Sequence, residues 1–100
     1  MPALQITVPH PFDQEIATEK LQRFAEKAKL LYGDQVKDLQ ETWEGPTVRF
    51  SFSAKGFKID GQLVVDDAKV TLDGTLPFAA MMFRKRIEND IRAALSKALQ

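Results

Sequence analysis

Residues 47–75 read TVRFSFSAKGFKIDGQLVVDDAKVTLDGT, and this stretch decides the fold. Val48, Phe50 and Phe52 alternate with Thr47, Arg49, Ser51 and Ser53. Phe57, Ile59, Gly61, Leu63 and Val65 alternate with Lys58, Asp60, Gln62 and Val64. Ala68, Val70 and Leu72 alternate with Lys69, Thr71 and Asp73. A side-chain period of two belongs to a strand with one buried face. The runs are separated by Lys55-Gly56 and by Asp66-Asp67, lengths that suit hairpins. Strands joined in this way form an antiparallel meander with one packed and one wet face. The register places Phe50 and Phe52 inside and Arg49 and Ser51 outside, and a slip by one residue would exchange the faces.

The same pattern extends outward in both directions. Leu39 to Glu44 precedes the stretch across Gly45-Pro46, with Leu39, Glu41 and Trp43 on one face. Leu4 to Val8 alternates too, with Leu4, Ile6 and Val8 on one side, and Pro9 and Pro11 end it because neither can donate to a ladder. Asp13 has the chemistry of a helix N-cap, Phe12 and Ala17 are spaced as a hydrophobic staple, and Glu15 suits the helix dipole. Ala17, Leu21, Phe24, Ala28 and Leu31 then form one apolar stripe, with Gly33 as the expected C-cap after Tyr32. Pro77 opens a second helix that runs to about Leu99, with a stripe of Ala80, Phe83, Ile87, Ile91, Ala94, Leu95 and Ala98. The order is β-α-β-β-β-β-α. The expected class is α+β, one domain over residues 1–100, a two-layer structure with both helices on one face of an antiparallel sheet. Trp43, Phe50, Phe52, Phe57, Ile59, Leu63 and Val65 are the expected packed face.

Composition narrows the function. The chain has 100 residues, 14 basic and 14 acidic side chains, one His and no Cys. A balanced charge argues against a general nucleic-acid binder, which needs a basic excess to displace counterions. It also gives no long-range attraction to anionic membranes. Without Cys the chain forms no disulfide, thiolate zinc site or iron–sulfur cluster. No apolar run approaches the ~18 residues that span a bilayer, and the start, MPALQITVPH, lacks the basic and apolar regions of a signal peptide. A cytoplasmic protein without a transmembrane segment is the expectation.

One set of features carries a family resemblance. Pro9-His10 follows the first strand, an acidic helix start lies at Asp13, and Trp43-Glu44-Gly45 precedes a strand. Phe50-Ser51-Phe52, Gly56 and Gly61-Gln62-Leu63-Val64-Val65-Asp66-Asp67 come next. Leu76-Pro77 then opens a helix containing Ile87-Glu88 and Ile91. In order and spacing the chain resembles the polyhydroxyalkanoic acid system proteins, small bacterial proteins encoded beside polyhydroxyalkanoate synthesis and granule genes. Pro46 departs from the polar residue usual there, a change confined to a turn. The resemblance implies a context of carbon-storage granules and brings no catalytic residues with it.

The side chains able to carry chemistry are few. His10 lies between two prolines, so it cannot supply the three or four ligands of a metal shell, and no nucleophile is paired with it in sequence. It is expected to hold the strand-to-helix turn. Asp60, Asp66, Asp67 and Asp73 lack the spacing of a calcium loop, and Asp66-Asp67 fits a hairpin turn. Gly61 marks a bend in the sheet or the close approach of a helix. Glu19-Arg23, Glu88-Arg92 and Arg86-Asp90 have the i,i+4 spacing of exposed helix pairs. No metal, cofactor or catalytic residue is expected.

The C-terminal helix carries the expected binding surface. At ~100° per residue, Phe78 and Met82 point away from the core stripe and Met81 lies on its flank, with Lys85 and Arg92 on the outer side. An apolar face of this kind suits a granule surface, a granule protein, a synthesis enzyme or a second copy of the chain. The expected function is a non-enzymatic accessory protein of polyhydroxyalkanoate metabolism at storage granules. The alternative is a small carrier that resembles, in reduced form, the helix-grip domains, with Trp43, Phe50, Phe52 and Phe57 lining an apolar pocket. Against the carrier, 100 residues barely fill their own core, and a ligand pocket takes roughly 300 Å³ or more from it.

Overall fold

In the computed structural model, which describes residues 3–54 and 56–100, five antiparallel strands form one sheet. The strands are β1 (Ala3–Pro9), β2 (Val36–Glu44), β3 (Thr47–Ala54), β4 (Phe57–Val65) and β5 (Lys69–Thr75). Helix α1 (Gln14–Leu31) lies between β1 and β2, and a 3-10 segment (Phe78–Phe83) leads into helix α2 (Arg84–Ala98). The sheet order is β1-β5-β4-β3-β2, so the two strands that flank α1 in sequence are the two edges of the sheet. Helix α1 must therefore cross the sheet. Its 18 residues span about 27 Å, against about 19 Å between the edge strands.

The alternating pattern sets the register. Trp43, Val48, Leu63, Leu72 and Ile6 stand opposite one another in a row across all five strands. The core beneath the helices consists of residues such as Leu4, Ile6, Ala17, Leu21, Ile59, Val65, Val70 and Leu95. The fold is the α+β arrangement of two helices on an antiparallel sheet. Gly45 supplies the positive φ (59°) that the first central position of a two-residue hairpin needs. Of the hairpin expected at Lys55-Gly56, Lys55 lies outside the described residues.

Several local expectations are corrected. Strand β2 begins at Val36 instead of Leu39, and its pairing with β3 shifts register between Lys37 and Gln40, with Asp38 at φ 55°. The cap of α1 is Tyr32, which bonds back to the Ala28 carbonyl, and Gly33 has no left-handed backbone. Leu31 leaves the apolar stripe and is 58% exposed, in the last turn of α1. The chain after Pro77 winds as a 3-10 helix to Phe83, so a 100° wheel does not describe it. Phe83 accordingly leaves the core stripe, 45% exposed and tilted against Phe57 at 6.2 Å. Gly61 is approached by the backbone of β5 and not by a helix. Phe50, Phe52 and Trp43 face inward as expected but are only half-buried, and Ser51 is half-buried on the outer face. The described ion pairs are Arg84–Glu88 at 2.9 Å and Lys29–Glu41 at 3.9 Å, in place of the expected helix pairs.

Candidate functional site

His10 is built into the turn between β1 and α1. Its Nδ1 accepts from the Phe12 amide at 3.1 Å, so the ring proton resides on Nε2, which donates to the Asp66 carbonyl at 2.8 Å. The His10 amide donates to the Ala68 carbonyl, the Gln14 side-chain amide donates to the Val65 carbonyl, and the Gln14 backbone N–H donates to Asp67 Oδ1. These bonds tie the β4–β5 turn to the start of α1. Both acidic residues of the turn take part, Asp66 through its carbonyl and Asp67 through its carboxylate. Asp13 Oδ1 accepts from the Ile16 amide at 2.9 Å and completes the N-cap. Among the described residues no group of three His, Asp or Glu side chains comes together in a form that could hold a metal ion.

The 3-10 segment presents the sequence-derived surface residues. Phe78 is 81% exposed and Met82 84%, while Met81 is half-buried and Ala80 is fully buried. Ala80 anchors the segment to the core, and the short 3-10 turn throws its larger neighbours outward. Arg84, Lys85 and Arg86 follow directly and are all exposed. Arg84 is held by Glu88. Arg92 serves a different place: its guanidinium donates to the Thr7 carbonyl at 3.1 Å, on the β1 edge strand. Among the described residues no helix is long and apolar enough to cross a membrane.

A second feature lies on the β2–β3 half of the sheet. Helix α2 packs on β1, and α1 packs on α2 and β4, so the inner face of β2 and β3 is only partly roofed. The opening is an apolar cleft of about 170 Å³ between α1 and these strands. Leu21 and Ala25 line it from the helix, and Trp43, Phe50 and Phe52 from the sheet. Glu41 is the charged residue in the wall. Of the aromatic lining expected from the sequence, Trp43, Phe50 and Phe52 line the cleft and Phe57 does not, since it packs against Phe83; Leu21, Ala25, Leu95 and Glu41 were missed. The available signal was Glu41 itself, a carboxylate on the apolar side of an alternating strand.

A search of curated proteins gives no match. Among solved structures, the chain is similar to TTHA0849 from Thermus thermophilus, with 16% sequence identity and a TM-score of 0.49. That alignment covers 98% of this chain and 94% of the other. The family profile described as "Putative polyhydroxyalkanoic acid system protein" matches residues 4–99. The chain belongs to that family.

Proposed function

We propose that this protein is a non-enzymatic accessory protein of polyhydroxyalkanoate metabolism that acts by binding at the surface of storage granules. The docking surface is the 3-10 segment, with Phe78 and Met82 as apolar anchors, Met81 beside them and Lys85 at the rim. The observation that supports this reading is the exposure of two large apolar side chains four residues apart on a segment pinned by buried Ala80. Removing each such side chain from water contributes about 1.5–3 kcal/mol, enough to favour association when neighbours join in. Family membership supplies the biological context. The protein works in the cytoplasm, where it divides between free and granule-bound states, and its action needs no cofactor.

Fractionation tests the reading. In cells accumulating polyester, a tagged copy is expected in the granule fraction, and it should return there when purified protein is mixed with washed granules. Retention by a granule-coating protein or a synthesis enzyme, and none by granules stripped of protein, would move the partner from the surface to that protein. Recovery only in the soluble fraction would refute granule binding.

A further inference from the structure

We propose that the 3-10 segment and the basic start of α2 form one docking surface for anionic lipid headgroups, with Phe78 and Met82 entering the lipid and Lys85 and Arg86 meeting its charges. The proposal rests on the granule-docking reading and names the chemistry of the partner. Two kinds of side chain are concentrated in one stretch of chain. Phe78, Met82 and Phe83 are three of the six large apolar side chains left exposed among the described residues. Between Asp73 and Glu88 the sequence has three basic side chains and no acidic one. The chain as a whole is neutral, so this basic run is a local asymmetry.

Backbone geometry joins the two. The Arg84 amide donates back to the Met81 carbonyl, so the chain turns tightly at the junction, and helical backbone follows from Arg84. This winding keeps Lys85 and Arg86, three and four residues after Met82, within about one turn of it. All three side chains are exposed. Glu88 is the first acid after the run and is engaged with Arg84 at 2.9 Å. Asp90 tempers the charge without reversing it, since three bases stand against two acids over Arg84–Asp90. The shape of the segment favours lipid. Phe78 and Met82 are each more than four-fifths exposed, so a rigid flat partner would touch only their tips, whereas a lipid layer deforms around them. Apolar side chains below the headgroups, with Lys or Arg at headgroup level, are the arrangement of interfacial lipid binding. An uncharged polymer would accept the apolar groups and leave Lys85 and Arg86 without counter-charge. The attraction is local and falls off within about 8 Å at physiological salt, so charge and apolar contact act together.

Co-sedimentation of the full chain with vesicles tests the proposal. One set is phosphatidylcholine alone, and the other is an equimolar mixture of phosphatidylcholine and phosphatidylglycerol. A basic side chain near an anionic surface adds about fivefold to partitioning, so the mixed vesicles should bind about tenfold or more better. Lys85→Gln with Arg86→Gln should remove that preference, and Lys85→Arg should keep it. Phe78→Ser with Met82→Ser should abolish binding to both sets. Added salt should weaken binding to the mixed vesicles alone. Every substituted side chain is exposed, so circular dichroism should show the fold intact in each variant. Equal binding to the two sets, or a preference that survives the double Gln change, would overturn the proposal. So would binding to washed granules without binding to either vesicle set, a result that leaves granule docking standing and moves the partner to the polymer or a granule protein. Binding to the mixed vesicles as expected, with none to granules, would uphold the lipid contact and refute granule docking.

Discussion

Gly61 of β4 stands directly opposite Gly74 of β5, and the two backbones approach too closely to admit a side chain at Gly61. A Cβ built there would collide with the Asp73 carbonyl oxygen and lie 2.7 Å from Gly74 Cα. Both obstacles are backbone, so the strands themselves must move. Gly61→Ala should therefore destabilise the protein by about 1–3 kcal/mol or more, the range of overpacking. Gly56→Ala meets open space, and its cost should be the smaller one of a positive φ (81°), roughly 1–2 kcal/mol. Urea melts of the two variants compare the effects directly, and a Gly61→Ala variant as stable as the parent would contradict the close approach.

His10→Ala should cost about 1–3 kcal/mol, because it removes the partners of the Phe12 amide and the Asp66 carbonyl together. The loss should appear as faster hydrogen exchange at the Phe12 amide, with granule partitioning unaltered. Hydrolysis of acyl esters by the pure protein, abolished by the same substitution, would overturn the non-enzymatic reading.

Fully and partly buried side chains of the inner face should answer truncation differently. Leu63 is buried at the centre of the sheet, and Leu63→Ala should cost about 2–5 kcal/mol. Phe50 is the larger side chain but only half-buried, so Phe50→Ala should fall below the roughly 3–5 kcal/mol of a fully buried Phe. If Phe50→Ala proved the more damaging of the two, the aromatic half of the sheet would be closed in solution.

Much of this was legible in the sequence. Alternation from Val48 to Leu72 fixed strand existence, pairing and facing, because period two allows no intermediate register. Asp13 announced the start of α1 through side-chain chemistry that few other positions could satisfy. The misreadings arise where tertiary structure overrides local pattern. Periodicity gives the direction in which Phe50 and Phe52 point, but not whether a helix covers them. That depends on where α1 crosses the sheet, a consequence of β1 and β2 occupying opposite edges. The 3-10 winding of Phe78–Phe83 was equally hidden, because its apolar residues read as an ordinary helix start in sequence. The resemblance carried by Trp43-Glu44-Gly45 and Gly61–Asp67 pointed to the family, and that carries a context without a mechanism.

Phe78→Ser combined with Met82→Ser tests the central claim most directly, read as partitioning between granule and soluble fractions alongside the melting temperature. Both side chains are more than four-fifths exposed, so the double variant should melt within about 4 °C of the parent. It should also remain in the soluble fraction when the parent sediments with the granules. A variant that still sediments like the parent, or one whose melting temperature falls sharply because these residues support the fold, would contradict the account.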